Sequence, residues 1–278
     1  MTAPEAKLAL PLAALFVAFF IAPLVVLLML SLHADIAMKT WTIDNYVKFL
    51  TDPFNYSILI DTLLLGVKAT LVCLLFGFPI AWLCARANAR WQSVLLFLVI
   101  LPILTSVVVR TFSWIVILGR QGVLNQIAMG LGIVNEPLRL LYTEVGVVMV
   151  LAQVQMPLMV LPILTVLGKM DPNLADASRV LGAGEWRTLW RITLPLSVPG
   201  IIAGCILTYS ASITAFVTQS LIGGARLIYM PLNIYQQAVG ANNWPFAAAI
   251  SIIFMIAVMV VVTLLNMIAR TSETHGRA

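Results

Sequence analysis

The chain has 278 residues, of which 62% are hydrophobic and only 10% charged, and its mean hydropathy is +1.03. Soluble globular proteins carry roughly 25% charged residues. This composition therefore excludes a soluble domain, a disordered chain and, despite a net charge of +5, a nucleic-acid-binding protein. The cysteines Cys73, Cys84 and Cys205 lie in apolar stretches without CxxC spacing, so the sequence supports neither a disulfide framework nor a zinc site.

Long uncharged runs predict transmembrane helices, because crossing the bilayer core takes about 20 mainly apolar residues. Six such regions predict an all-α, polytopic membrane protein with residues 1–278 in a single transmembrane domain. The predicted spans cover residues 8–32, 57–84, 92–118, 143–168, 196–222 and 246–269. The first apolar run is longer than the about 7–15 residues of a signal-peptide core, so we expect a retained anchor.

The distribution of lysine and arginine predicts the orientation, because cytoplasmic loops carry an excess of both. Nine of these residues fall on the side of the two termini and five on the other side. The nine are Lys7, Arg86, Arg90, Lys169, Arg179, Arg187, Arg191, Arg270 and Arg277. We therefore expect both termini and the loop 169–195 to lie in the cytoplasm.

Motifs for catalysis and for nucleotide binding are absent from the sequence. Gly168-Lys169 lacks the upstream glycine and the following Ser or Thr of a Walker A loop, and no HExxH, GxSxG or SxxK motif occurs. His33 and His275 flank apolar segments, where a solvated histidine is the usual interpretation. We expect a protein that is not an enzyme and that holds no cofactor of its own.

The loop 169–195 contains two short predicted helices. Asp171 followed by Pro172 is typical of a helix start, which predicts a helix over 172–181 with Gly182 in the left-handed conformation after it. A second helix is predicted from about residue 184, ending before Pro195. The loop has an apolar side that could dock on another protein or lie on lipid as an interfacial helix. Helix chemistry alone leaves both alternatives open.

The same loop resembles a known sequence signature. Its residues are Asp176-Ala177-Ser178, then Leu181-Gly182-Ala183, and then Leu194-Pro195 eleven residues later. This pattern is similar to the EAA signature of ABC importer permeases, in which Glu-Ala-Ala-x-x-x-Gly precedes a Leu-Pro element. The resemblance implies that the loop forms a cytoplasmic coupling helix between spans 4 and 5. Asp176 and Ser178 depart from the usual Glu and Ala, so Ser178→Ala is expected to leave uptake nearly unchanged.

Further motifs, spread over residues 41–269, resemble the spermidine/putrescine-type permeases of bacterial inner membranes. They are Asp44-Asn45-Tyr46, Gly77-Phe78-Pro79-Ile80-Ala81-Trp82, Arg110-Thr111-Phe112-Ser113-Trp114, Gly122-Val123-Leu124-Asn125, Pro199-Gly200-Ile201-Ile202-Ala203-Gly204 and Asn243-Trp244-Pro245-Phe246. The resemblance implies a polyamine importer with a second permease subunit, two cytoplasmic ATPase subunits that bind ATP, and an extracytoplasmic solute-binding protein.

Polar residues inside the predicted spans are candidates for the solute pathway. A charge within a span is unfavourable, which makes Arg110 a functional candidate unless it extends to the outer headgroups. Trp114 lies one turn further on, and span 5 carries Thr208, Ser212 and Gln219. Hydroxyl groups of this kind often bond their own helix instead. In the same span, the spacing of Gly200 and Gly204 predicts close helix packing.

The alternative function is a stand-alone secondary transporter or channel. That function predicts intramembrane carboxylates or two similar broken halves, and the sequence shows neither. The same scarcity of carboxylates leaves the solute open, because Asp61 and Glu144 lie near the outer ends of spans. Selectivity for a polyamine could reside in the binding protein or in the partner permease, or the solute could be a related small organic molecule.

Overall fold

A computed structural model describes residue 11, residues 15–171 and residues 173–275. The predictions for Pro172 and for residues 8–10 and 12–14 of the first span lie outside this part of the chain. Where the structure is described, helices dominate and no β-strand occurs beyond an isolated bridge between His33 and Trp41. The predicted all-α class is confirmed.

The helices are numbered here in chain order. They are α1 (Val17–Ser31), α2 (Asp44–Thr51), α3 (Pro53–Arg86), α4 (Ala89–Leu104), α5 (Val107–Leu118), α6 (Val123–Gly130), α7 (Glu144–Leu167), α8 (Asn173–Val180), α9 (Glu185–Ile213), α10 (Phe216–Gly223), α11 (Met230–Tyr235) and α12 (Trp244–His275). Five segments of this part are long and apolar enough to cross a membrane: Pro53–Arg86, Val107–Gly130, Glu144–Leu167, Glu185–Ile213 and Trp244–Met267. That the chain crosses six times stays a prediction.

One compact unit comprises Met1–Leu59 and Leu232–Ala257. In its described residues, polar side chains fix the segments that link the helices. The hydroxyl groups of Ser31 and Tyr46 lie 2.6 Å apart, which attaches α2 to the end of α1. The buried amide of Asn233 donates to the side-chain oxygen of Asn55 over 3.1 Å. These bonds satisfy polar groups that burial would otherwise leave without a partner.

The other compact unit comprises Ile60–Pro231 and Val258–Ala278. At its centre α7 packs against α9 along a seam of small residues. A Cβ atom at Gly200 would lie 2.9 Å from the carbonyl oxygen of Pro162, and one at Gly204 would lie 3.0 Å from that of Met159. The predicted close approach at Gly200 and Gly204 is confirmed, and it explains how the two backbones come together.

The predicted helix over 92–118 is interrupted. The prediction of one continuous helix was therefore wrong. α4 ends at Leu104, Thr105 is extended, and α5 begins at Val107. The predicted span is too long for a straight crossing, since 27 residues would extend about 40 Å across a core of about 30 Å. Pro102 in the last turn of α4 further weakens the helix there.

The predicted helix over 196–222 is also interrupted, between α9 and α10. Ala215 has φ −75° and ψ 64°, and the Phe216 N–H donates to the Thr214 carbonyl over 2.8 Å, as in an inverse γ-turn. The side-chain amide of Gln219 donates to the carbonyls of Ser212 and Ile213 over 2.7 and 3.2 Å. Gln219 thereby satisfies carbonyl groups that the break frees from the helix.

An ion pair joins α3 to the start of α7. The Lys68 ammonium lies 2.5 Å from a Glu144 carboxylate oxygen, and both side chains are about half exposed. In the loop between α10 and α11, burial raises the pKa of Tyr229 far above its usual value, and the charges of Glu144 and Asp61 raise it further. Tyr229 therefore stays neutral at physiological pH.

Candidate coupling loop and pathway cavity

The first loop helix, α8, runs from Asn173 to Val180, close to the predicted range 172–181. The carboxylate of Asp171 accepts from the Asn173 N–H over 2.9 Å, which is the capping role predicted for this residue. α8 presents Asp176 and Ala177 to solvent. The helix is short and isolated helices of this length are marginal in water, so it depends on its contacts with α9.

The end of α8 is a Schellman motif centred on Gly182. The Gly182 N–H donates to the Arg179 carbonyl over 2.9 Å and the Ala183 N–H donates to the Ser178 carbonyl over 3.0 Å. Gly182 has φ +81°, so the predicted left-handed conformation is confirmed. Glycine adopts this conformation without the steric cost that a Cβ atom brings. The turn sets the direction in which the chain enters the next helix.

Side-chain contacts hold α8 against the start of α9. The hydroxyl groups of Ser178 and Thr188 are buried and lie 2.7 Å apart. The Arg179 guanidinium lies 3.1 Å from the carboxylate of Asp176 on its own helix and 3.8 Å from that of Glu185. Arg86, at the end of α3, lies 3.7 Å from the other oxygen of Glu185. The loop is thus attached both to α9 and to the end of α3.

The predicted end of the second loop helix before Pro195 is wrong. The helix that starts at Glu185 continues without interruption to Ile213. Proline lacks an N–H and its ring meets the carbonyl of the fourth preceding residue, which normally breaks a helix. Here residues Leu189–Thr193 form a wider π turn, and this change of register admits Pro195. The helix therefore connects the loop directly to span 5, and Leu194 and Pro195 lie within it.

The buried contact of Ser178 changes the effect expected from Ser178→Ala. The sequence pattern alone treats this change as neutral, whereas the structure gives the hydroxyl group a buried partner on Thr188. Losing the bond leaves the Thr188 hydroxyl with its weaker 3.2 Å contact to the Gly184 carbonyl. We expect Ser178→Ala to destabilise the loop by about 1 kcal/mol.

The measurement is protease cleavage of the loop in the purified chain, which should become several-fold faster in Ser178→Ala. Thr165→Ala is the matched control, because its hydroxyl group bonds only the Leu161 carbonyl of its own helix. Equal cleavage rates in Ser178→Ala and in the control would show that the hydroxyl pair does not hold the two helices together.

Of the pathway candidates, Arg110 lines a cavity of about 500 Å³ where the two helix breaks meet. Its side chain reaches back and donates to the carbonyl of Pro102, in the last turn of α4. This contact differs from an outward extension to headgroups, and it places a cation at a helix C-terminus. Thr214 and Thr218 of the second break line the same cavity, and none of the described residues that line it is a carboxylate.

The other candidates do not gather around Arg110. The indole N–H of Trp114 donates to the side-chain oxygen of Gln153 over 3.1 Å, beside a separate and mainly apolar cavity. Thr208, Ser212 and Gln219 are at most 1% exposed, and each has a buried side-chain oxygen that finds no hydrogen-bond partner among the described residues. The structure therefore places these three inside the packed helices.

Sequence reasoning missed two glutamines of α7. Gln155 lines the cavity of Arg110 and donates to the Ala211 carbonyl over 3.3 Å, just before the second break. Gln153 bonds Trp114, as described above. Both amides stand in the uncharged run 145–168, where a polar side chain is unusual, and that contrast could have identified them.

Comparison with known proteins assigns the family. Residues 77–273 match the model of the family described as binding-protein-dependent transport system inner membrane component. The chain is 36% identical over 219 residues to the spermidine/putrescine transport system permease protein PotB of Escherichia coli strain K12, which covers 79% of each chain. It is 32% identical over 235 residues to the molybdenum transport system permease protein ModB of the same organism, covering 82% of this chain and 99% of ModB.

A solved structure shares the fold. It is the crystal structure of a bacterial alginate ABC transporter in complex with an alginate pentasaccharide-bound periplasmic protein. The TM-score is 0.76 at 19% identity, over 96% of this chain and 94% of the matched chain. With the family match and the relatives above, these findings show that the chain belongs to the binding-protein-dependent transport system inner membrane components and is the permease component of an ABC importer, not its ATPase.

Proposed function

We propose that this chain forms one half of the pathway of a polyamine importer. A second, different permease forms the other half, two cytoplasmic ATPase subunits bind ATP, and an extracytoplasmic binding protein delivers the solute. The supporting observation is the rigid connection from α8, through the Schellman turn at Gly182, to the uninterrupted helix α9. A displacement of α8 by an ATPase would pass directly into span 5 through this connection.

The proposed ATPase-coupling residues are eight residues of the loop 169–195. They are Asp176, Ala177, Ser178, Leu181, Gly182, Ala183, Leu194 and Pro195. Leu181 is 87% exposed, and Asp176 and Ala177 are exposed on α8, so these three are available for a direct contact. Ser178 and Gly182 act by fixing the position of α8. Leu194 and Pro195 act within α9, where the π turn joins the loop to the span.

The proposed pathway includes the cavity lined by Arg110, Gln155 and Thr218. Discontinuous helices near the middle of the membrane are a usual place for solute contacts in transporters. Thr208, Ser212 and Gln219 are buried and can meet solute only if α9 and α10 separate from their neighbours at the break. Because the part of the chain that the structure describes brings no carboxylate to the cavity of Arg110, we assign selectivity for a cation chiefly to the binding protein.

The solute is tested by uptake in cells that lack their own polyamine importers. The chain is expressed with its ATPase, its second permease and its binding protein, and uptake of radiolabelled spermidine and putrescine is measured. We expect saturable uptake that disappears when this chain is omitted. Absence of polyamine uptake together with uptake of molybdenum, the element in the name of ModB, would replace the polyamine proposal.

The proposed orientation places both termini and residues 169–195 in the cytoplasm, with 33–56, 119–142 and 223–245 on the outer side. Asn173 is exposed at the start of α8 and suits labelling. In a chain without its native cysteines, Asn173→Cys should react with an impermeant thiol reagent only after the cells are opened, whereas Gln121→Cys should react in intact cells. The reverse labelling pattern would show that the chain has the opposite orientation in the membrane.

A further inference from the structure

The start of α9 has two unlike faces. One face carries Glu185 and Thr188, which contact Arg86, Arg179 and Ser178. At about 100° per residue, Trp186 and Trp190 lie on the opposite face. They are 75% and 64% exposed. A partner that covers this second face would therefore not compete with a partner on α8.

Two arginines flank the exposed tryptophans. Arg187 and Arg191 follow Trp186 and Trp190 directly, lie one turn apart and are exposed. In the described part of the chain, the ion pairs of this loop involve Arg86, Arg179, Asp176 and Glu185 and leave Arg187 and Arg191 unpaired. The face carries two cations without internal partners, so an anionic surface is its natural complement.

The length of the helix places this face at the membrane boundary. α9 has 29 residues and would extend about 44 Å, longer than the hydrocarbon core of about 30 Å. The uncharged run 192–225 alone is long enough to cross that core. The charged first turns, 185–191, therefore emerge from it into the headgroup region, where tryptophan and arginine are both favoured.

We propose that Trp186, Arg187, Trp190 and Arg191 form a binding face for anionic phospholipid headgroups in the cytoplasmic leaflet. The indole rings lie at the boundary between acyl chains and headgroups, and the guanidinium groups bind the phosphates. Lipid then holds one face of α9 while the opposite face holds α8. The sequence left two alternatives open for this loop, and they apply to different surfaces. α8 docks on another protein, and the start of α9 contacts lipid.

The test uses the complete transporter in vesicles of phosphatidylcholine, with or without phosphatidylglycerol, in which one lipid carries brominated acyl chains. Bromine quenches tryptophan fluorescence at short range. The part of the quenching that comes from Trp186 and Trp190 is the part lost in the double variant Trp186→Phe/Trp190→Phe. The control variant is Trp41→Phe, which changes an exposed tryptophan of the other compact unit. We expect each arginine to raise the ratio of phosphatidylglycerol to phosphatidylcholine around these tryptophans by about fivefold over the ratio in the vesicle.

The double variant Arg187→Gln/Arg191→Gln should lose this preference, and Arg120→Gln should keep it. Equal quenching by both lipids would overturn the proposal. Quenching that appears in the isolated chain and vanishes when the ATPase is bound would identify the face as a protein contact instead. The readout needs no transport, so its failure is separate from any failure of the proposed uptake function.

Discussion

Gly182→Val is expected to remove most solute uptake while the chain still enters the membrane. Gly182 has φ +81°, a conformation that costs a β-branched residue roughly 1–2 kcal/mol or more. A Cβ atom there would meet no atom within 4 Å, so the effect comes from the backbone conformation and not from a clash. Leaving that conformation breaks the Schellman bonds to Arg179 and Ser178 and moves α8 from the position in which we propose that it meets the ATPase.

The measurements are uptake in cells and the amount of ATPase that co-purifies with the chain. Gly184→Val is the matched control, because Gly184 has φ −70° and ψ 166°, which valine adopts readily, and also has open space around it. We expect the control to retain most of its uptake. Wild-type uptake and normal ATPase retention in Gly182→Val would mean that the turn does not position a coupling helix.

Gly200→Leu is expected to prevent normal folding of the unit that contains α7 and α9. A Cβ atom at residue 200 would lie 2.9 Å from the Pro162 carbonyl oxygen and 3.0 Å from the Ile163 Cα atom. Both are backbone atoms, so relief requires the two helices to separate. Overpacking of this kind costs typically about 1–3 kcal/mol and sometimes more. The expected result is a markedly lower melting temperature in detergent and less protein in the membrane.

Gly130→Leu is the control for that experiment. Gly130 ends α6, and a Cβ atom there would meet nothing within 4 Å, so the same added volume should be tolerated. Both variants are compared by thermal unfolding of the purified chain. If Gly200→Leu unfolds at the temperature of the control, the seam between α7 and α9 does not carry the stability that its geometry indicates.

The sequence predicted those features of the loop that depend on a few neighbouring residues. The positions of Asp171 and Gly182 follow from helix capping and backbone sterics, and both roles are present in the structure. The spacing of Gly200 and Gly204 predicted a packing seam because only small residues let two helix backbones approach closely. In these cases the preference lies in a few neighbouring residues, so sequence alone is sufficient.

The second helix break and the buried bonds have no local signal in the sequence. Nothing near Gln219 indicates that its amide would donate to the carbonyls of Ser212 and Ile213, because residues 213–216 contain neither glycine nor proline to mark a break. The Ser178–Thr188 pair depends on the fold of the loop. The π turn before Pro195 could not be predicted from local rules either, because proline by itself predicts a helix end. For that reason the predicted helix over 196–222 was wrong in being continuous, and one predicted helix end was wrong.

The ion pairs at Lys68 and Arg86 have a consequence for the membrane that the chain can inhabit. Lys68 pairs with Glu144 and Arg86 with Glu185. At 1.5 Å per residue, the uncharged stretch of α3 between them is about 27 Å long, close to the hydrocarbon core of about 30 Å. The charge pairs at both ends of this stretch oppose a shift of α3 along the membrane normal, so the helix does not adjust to a bilayer of another thickness. A markedly thicker bilayer would have to thin around the protein, so hydrophobic mismatch would favour its residence in thinner membrane regions.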